Sequence, residues 1–205
     1  MISVSVIIPY FKKRNFIEKT INSIKSQTHK NLEIIIVFDD NDHSDLKFIK
    51  KIQKSDRRIK LLVNKKQLGA GFSRNRGIKY SRSNYVAFID ADDLWKKNKI
   101  ELQLKFMIKN RLLISHTSYE ILKKNQKNKK ILKAKSYTNY KQLLSSCDIG
   151  LSTVCPAPNP IAAKTSCVPV LKAVPESGMF APTTSSPVSA NFCNLAFPLA
   201  KIDLF

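Results

Sequence analysis

Apolar residues in the first half of the chain fall by turns into short unbroken runs and into stripes of helical period. Ser3–Ile8 alternates and then runs apolar, which predicts a strand that stops at Pro9, with Pro9–Lys13 as a loop at its carboxyl end. Phe16, Ile17, Thr20, Ile21 and Ile24 share one stripe and predict a helix from about Asn15 to Gln27. Leu32–Phe38, β-branched through its centre, reads as a second, buried strand. Leu46, Ile49 and Ile52 mark a helix from about Ser44, and Ile59–Val63 a third strand. A glycine-containing loop from Leu68 then enters a helix running to about Ser81. The strand Tyr85–Ile89 and a helix from about Lys97 to Lys109 follow. Further on, the pattern predicts a strand over Leu112–Ile121, a polar turn over Lys123–Lys130, a short strand over Ile131–Ala134 and a short helix over Tyr140–Cys147. Strand and helix in repeated alternation predict an α/β fold, a mostly parallel central sheet flanked by helices on both faces.

Two of the buried runs end abruptly in acid. Tyr85–Ile89 meets Asp90, Asp92 and Asp93, and Leu32–Phe38 meets Asp39, Asp40 and then Asp42. If the strands are parallel, both clusters lie on one sheet edge, the edge where open α/β sheets take ligands. Like charges crowded into one turn cost energy unless a cation or hydrogen-bond donors sit against them. A helix N-cap accounts for one Asp, not for three. Carboxylates are hard oxygen ligands suited to Mg²⁺ or Mn²⁺, which completes its shell with water and substrate phosphates. The pair Gly69 and Gly71 follows the third strand, and the first loop holds no glycine. That order excludes the glycine fingerprint of hydride-transferring dinucleotide enzymes.

Composition changes the picture in two places. The formal charge of +21 comes from lysines scattered through the chain, not from one basic block. Such a surface suits solvation and peripheral attraction to an anionic membrane or an anionic substrate. No basic and aromatic motif of a nucleic-acid reader is present, so nucleic acid is not an expected partner. The 4 cysteines show no Cys-x-x-Cys spacing, which predicts free thiols in a reducing compartment. With no basic n-region before Pro9 and no apolar run of spanning length, the expected location is the cytoplasm, with peripheral contact at the inner face of the membrane. The second change is a break near Cys155, beyond which lie all but one of the 9 prolines. It divides the chain into a domain over 1–154 and a Pro/Ser/Ala-rich tail over 155–205, expected to be irregular or disordered with short extended pieces. An altered reading frame after Val154 and a genuine short appendage both account for such a tail.

Four motifs in order, Ser-Val-Ile-Ile-Pro-Tyr ending at Tyr10, Asp39-Asp40, Ser-Arg-Asn-Arg-Gly-Ile from Ser73, and Phe-Ile-Asp-Ala-Asp-Asp-Leu-Trp from Phe88, resemble the family 2 glycosyltransferases over roughly residues 2–154. The resemblance implies the GT-A, Rossmann-like fold and a nucleotide-sugar donor, usually UDP-linked. It also implies that Pro9 and Tyr10 line the nucleoside pocket, that Asp39 or Asp40 binds the base, and that Arg74 lies near the nucleotide. Asp90 and Asp92 match the family's Asp-x-Asp, which holds Mg²⁺ or Mn²⁺ against the diphosphate. The implied acceptor is a glycan or a lipid-linked glycoconjugate. Physical chemistry agrees: carboxylates alone repel a diphosphate, so a cation must mediate, and the same cation stabilises the diphosphate as it leaves. Lys13 joins Arg74 as a candidate cation for the nucleotide, while His116 reads as a strand-face residue. The catalytic base is unassigned. The family commonly draws it from a Glu-Asp pair in the acceptor half, and nothing after Ile149 matches, the only later acids being Glu176 and Asp203. The rival reading is therefore a catalytically impaired module that still holds a nucleotide sugar.

Overall fold

The computed structural model describes residues 2–121, 130–135, 137–138, 149–156, 171–173 and 181–183. Its centre is four strands, β1 (Val4–Tyr10), β2 (Leu32–Phe38), β3 (Ile59–Val63) and β4 (Tyr85–Phe88). All pair in parallel, in the order β3-β2-β1-β4, with Val4 of β1 opposite Leu32 on one side and Tyr85 on the other. Helices α1 (Arg14–Lys25), α2 (His43–Lys54), α3 (Ala70–Tyr80) and α4 (Lys99–Lys109) alternate with or follow them.

The unbroken apolar runs are explained by burial on both faces. On one face Val4, Val6, Ile8, Ile34 and Ile36 pack with Ile17, Ile21 and Ile24 of α1, Ile49 and Ile52 of α2, and Ile100, Leu104 and Met107 of α4. On the other, Ile7, Ile35, Val37, Val86 and Phe88 pack with Ile78 of α3 and with Ile149 and Val154. Helix α3 comes very close to the sheet: a Cβ on Gly77 would lie 2.5 Å from Cγ2 of Ile7.

The first strand does not stop at Pro9; it continues through Tyr10. The ladder explains why a proline is tolerated there. Tyr10 C=O accepts from Asp39 N–H at 2.9 Å and Ile7 C=O from Ile89 N–H at 3.2 Å, so alternate residues of β1 address β2 and β4. Pro9 falls in the set facing β4, which has already ended at Phe88, so no ladder bond is lost. Helix α1 begins at Arg14 and ends at Lys25, two residues short of Gln27, and α4 begins at Lys99 rather than Lys97.

The strand expected over Leu112–Ile121 is two, β5 (Ile114–His116) and β6 (Tyr119–Ile121), which enter different sheets. The chain turns between them at Thr117 and Ser118, both buried, with the Ser118 hydroxyl accepting from Ala134 N–H at 2.9 Å. An apolar run carries no record of such a change of sheet. The remaining strands are β7 (Lys130–Leu132), where the short strand was expected, β8 (Tyr137–Thr138), β9 (Cys155–Pro156), β10 (Leu171–Ala173) and β11 (Ala181–Thr183). One small sheet has the order β8-β10-β5-β9 and the other β11-β6-β7. The expected helix over Tyr140–Cys147, residues 123–129 of the expected turn, and Glu176 and Asp203 lie outside the described residues. Among the described residues no helix is long and apolar enough to cross a membrane.

Candidate functional site

The strand order reverses between β1 and β4: β2 and β3 follow on one side of β1, and β4 lies on the other. Their connections leave in opposite directions there, which opens a crevice at the carboxyl ends. Three chain segments meet at this edge: residues 11–13 after β1, Asp39 and Asp40 after β2, and Asp90–Asp93 after β4.

The segment after β1 touches both acidic clusters at once. Lys12 N–H donates to Asp40 Oδ2 at 3.1 Å, and Lys13 Nζ donates to Asp92 Oδ2 at 2.7 Å. Lys12 reaches this arrangement with φ of 50°, in the left-handed region that an L residue enters at some cost. Asp90 is met from a third element: Nη2 of Arg74, on α3, donates to its Oδ1 at 2.6 Å. The crowding of like charges is thus relieved by two cations. Of the two paired carboxylates, Asp90 is the more open to solvent, its side chain 40% exposed against 15% for Asp92.

Asp93 is handled differently. It is buried, and the Ser152 hydroxyl donates to its Oδ2. The same hydroxyl oxygen accepts Asp90 N–H at 3.0 Å, and Ser152 C=O accepts from Trp95 Nε1–H at 2.8 Å. Ser152 stands in a 3-10 turn, Leu151–Thr153, anchored from below where Gln103 Nε2 donates to Thr153 C=O at 3.0 Å. Helix α1 brackets the other flank of the acidic turn: Thr20 Oγ1 donates to Ala91 C=O at 2.9 Å and Ser23 Oγ accepts Trp95 N–H at 3.2 Å.

Asp39 and Asp40 are also held. Asp39 accepts from Leu68 N–H at 2.8 Å, Gly69 N–H at 2.7 Å and Asn64 Nδ2 at 2.6 Å, so its carboxylate fixes the loop that leads into α3. Gly69, with φ of 87°, supplies the left-handed residue that turns this loop into the helix. Asn64 links onward, donating to Ser73 Oγ at 3.0 Å and accepting from Arg76 at 2.5 Å. Asp40 accepts Asn41 N–H at 2.7 Å besides Lys12. Pro9 lies at the end of β1. The Tyr10 ring is fully buried, stacked on Phe38 with centroids 5.4 Å apart, and its hydroxyl donates to Asp45 Oδ2 at 2.5 Å. Burial, followed by the Asp45 contact, pushes the Tyr10 phenol well above its ordinary range.

The structure therefore brings Arg74 to Asp90, Lys13 to Asp92 and Asp40 to the β1 segment, while Asp39 addresses the 64–69 loop. Sequence reasoning missed Ser152, Asn64 and Asp45. Asp45 had a signal, as an acid in the first turn of a helix, but Ser152 sits in an unremarkable Gly-Leu-Ser-Thr stretch. Among the described residues no three His, Cys, Asp or Glu side chains converge into a set able to hold a metal by themselves. The donor set nevertheless suits Mg²⁺ or Mn²⁺, which commonly take one or two protein carboxylates and draw the other ligands from water and phosphate.

The sequence model of the family described as "Glycosyl transferase family 2" matches residues 5–160. An uncharacterized glycosyltransferase of Rickettsia felis is 43% identical over 155 residues, covering 74% of this chain and 25% of that protein. The UDP-Glc:alpha-D-GlcNAc-diphosphoundecaprenol beta-1,3-glucosyltransferase WfgD of Escherichia coli is 38% identical over 151 residues, covering 74% of this chain and 58% of that protein. Among solved structures, S. aureus TarS 1-349 in complex with UDP-GlcNAc superposes with a TM-score of 0.67 at 14% identity, over 90% of this chain and 60% of that one. At that identity the likeness speaks for the fold. The chain spans less than two thirds of the length of each of these relatives.

Proposed function

The chain belongs to glycosyl transferase family 2 and has the GT-A type of fold, and from that premise we propose that it holds a UDP-sugar in the crevice between β1 and β4 for transfer to a glycan or lipid-linked acceptor. The observation that carries this reading is the β1 segment, whose Lys12 N–H and Lys13 Nζ tie Asp40 and Asp92 together across the sheet edge. On this reading the two ends of a nucleotide, base and diphosphate, would fall within the span of one short loop. Support for the donor and acceptor classes comes from the Escherichia coli relative, whose name gives UDP-Glc as donor and a diphosphoundecaprenol-linked sugar as acceptor.

Asp90 and Asp92 would hold Mg²⁺ or Mn²⁺, whose charge neutralises the diphosphate as it leaves. Arg74 and Lys13, paired with these carboxylates, are then free to turn their N–H groups onto phosphate oxygens, charge-assisted contacts stronger than neutral ones. Asp39 or Asp40 accepts the imide N–H of uracil, a contact cytosine cannot make. Asp39 also shapes that end of the pocket through the 64–69 loop. Pro9 forms the nucleoside wall at the end of β1, and the Tyr10 ring, fully buried against Phe38, backs that wall from beneath instead of lining the pocket itself.

Calorimetric titration with UDP, with and without Mn²⁺, tests the reading. The wild-type chain is expected to bind UDP more tightly with Mn²⁺, and Asp92→Ala to lose most of that gain. No binding of UDP with metal overturns it. A second reading, a module that binds the donor but turns it over slowly, is favoured by one observation: no acidic pair follows Ile149 in the sequence.

A further inference from the structure

The acidic turn after β4 carries three carboxylates, and only two of them are met by the cations described above. The third, Asp93, is buried 7% exposed against a neutral hydroxyl. That hydroxyl belongs to Ser152, itself 2% exposed and 62 residues away in sequence from Asp90. Its oxygen sits at a junction: it receives the Asp90 N–H, gives its proton to Asp93, and its residue's carbonyl receives the Trp95 indole N–H. One residue thereby touches the first member of the turn, its last acid, and the aromatic residue that closes it.

We infer that Ser152 is a positioning residue, which holds Asp93 inward so that Asp90 and Asp92 present their carboxylates to a divalent ion and the donor diphosphate. The inference rests on the proposed donor site and adds to it a residue from the far side of the chain. The physical reason is repulsion within the turn. Three carboxylates in four positions each favour an outward, hydrated position, and three outward charges would spread apart. Binding Asp93 to a buried hydroxyl removes one competitor and fixes the backbone at Asp90 through the same oxygen. Without that oxygen, Asp90 N–H loses a buried acceptor and Asp93 a buried donor, losses that displace a turn rather than dissolve a fold already anchored by Thr20, Ser23 and Gln103. Partners that orient metal-binding carboxylates typically change metal affinity by roughly 10–100-fold when removed.

The test is calorimetric affinity for UDP measured twice, with Mn²⁺ and with chelator, on wild type, Ser152→Ala, Ser152→Thr, Asp93→Asn and Ser152→Ala combined with Asp93→Asn, with melting temperatures alongside. The ratio of the two affinities is the metal-dependent gain. Ser152→Ala is expected to reduce that gain by roughly tenfold while the metal-free affinity stays within about twofold. Ser152→Thr, which keeps the hydroxyl, restores it. Asp93→Asn, which removes the competing charge, keeps most of the gain, and adding Ser152→Ala to it costs less than Ser152→Ala alone, the remainder being the lost acceptor of Asp90 N–H. An unchanged gain in a folded Ser152→Ala chain overturns the positioning role while leaving the donor site standing. Equal losses with and without metal overturn it too, because they mark general damage. If Ser152→Ala does not fold, Asp93→Asn decides: a loss of the gain by roughly tenfold in that variant, whose competing charge is gone, overturns the inference. A wild-type chain with no metal-dependent gain overturns both the donor site and the role of Ser152.

Discussion

Lys99 carries its ammonium group into the protein core. The residue is fully buried, its Nζ lies 4.0 Å from the Trp95 ring centroid, and it has no hydrogen-bond partner among the described residues. Burial pulls its pKa down from 10.5 to about 8, and burial pushes the neighbouring Cys155 thiol up to about 11. Between about pH 8 and 10.5 the unfolded chain holds the Lys99 proton more firmly than the folded one, so Lys99 adds stability with rising pH, a rise that Cys155, ionising first in the unfolded chain, offsets above about pH 9. From pH 7 to pH 9 the gain is about 1 kcal/mol, with Cys155 beginning to oppose it near the upper limit. Urea midpoints at the two pH values check this: the wild type becomes more stable at pH 9, whereas Lys99→Met is more stable than wild type at pH 7 and loses the rise. His116 acts in the opposite range. Its buried ring, with Nε2 unpartnered among the described residues, has its pKa drawn down by burial to about 4. The unfolded chain takes up that proton first, so stability falls as pH drops from 6.5 toward 4. His116→Phe is expected to flatten the acid limb of the urea midpoint against pH. Neither residue was legible for this behaviour. Lys99 is one lysine among many in a basic chain, and only the packing of α4 on Trp95 sets it apart.

At the scale of elements, α3 joins the sheet to the site, because it carries Arg74 on one turn and Gly77 on the next. A methyl group at Gly77 meets Ile7 at 2.5 Å, so Gly77→Ala must push the helix off β1 or displace Ile7. Overpacking of this kind costs about 1–3 kcal/mol, against about 1 kcal/mol regained from better helix propensity. The expected result is a lower melting temperature together with weaker UDP binding, as Arg74 shifts from Asp90; thermal melts and titration on the same sample check both. The loop before α3 is held by Asp39, so Asp39→Ala strips an acceptor from Leu68 N–H and Gly69 N–H and costs about 1–3 kcal/mol. The run Ile34–Phe38 was legible because a strand covered on both faces is apolar throughout, whereas Ile59–Val63, at the sheet's edge with Lys60 exposed, was legible only from the apolar residues around that lysine. Pro9 misled because a proline is a fault only where the ladder needs its N–H, and that depends on where β4 ends. The division of Leu112–Ile121 into β5 and β6 was illegible for a similar reason: which sheet a residue joins is a property of its partners, not of its own side chain.

At the scale of the whole molecule, an acidic crevice is set in a chain of net charge +21. The parts of that crevice come from residues 9–13, 39–40, 74, 90–93 and 152, all described and all tied by hydrogen bonds or packing to the parallel sheet. The acidic clusters at the ends of β2 and β4 were legible, since an apolar run that stops in several carboxylates has few structural uses. Their partners were legible only in part: Arg74 was expected near the nucleotide, but its pairing with Asp90, like that of Ser152 with Asp93, is made by the fold and not by spacing. Holding a donor and moving its sugar are separate demands on this architecture. Transfer with inversion needs a carboxylate held within hydrogen-bond reach of the acceptor hydroxyl as it attacks the anomeric carbon. In the crevice Asp90 and Asp92 face cations, Asp93 faces Ser152, and Asp39 and Asp40 accept from the backbone, so each acid already has a task. The acids that follow Ile149 are Glu176 and Asp203, neither with an acidic neighbour. The expected outcome is that this chain binds UDP-sugar in a metal-dependent way and transfers it very slowly to any of a range of glycan and lipid-linked acceptors. Rates for the chain and for its Glu176→Gln and Asp203→Asn variants should be alike, and all close to the background without protein. Brisk transfer abolished by one of those substitutions would locate the base in the segment after Cys155, and brisk transfer surviving both would return the role to an acid of the crevice, with Asp93 the first to replace.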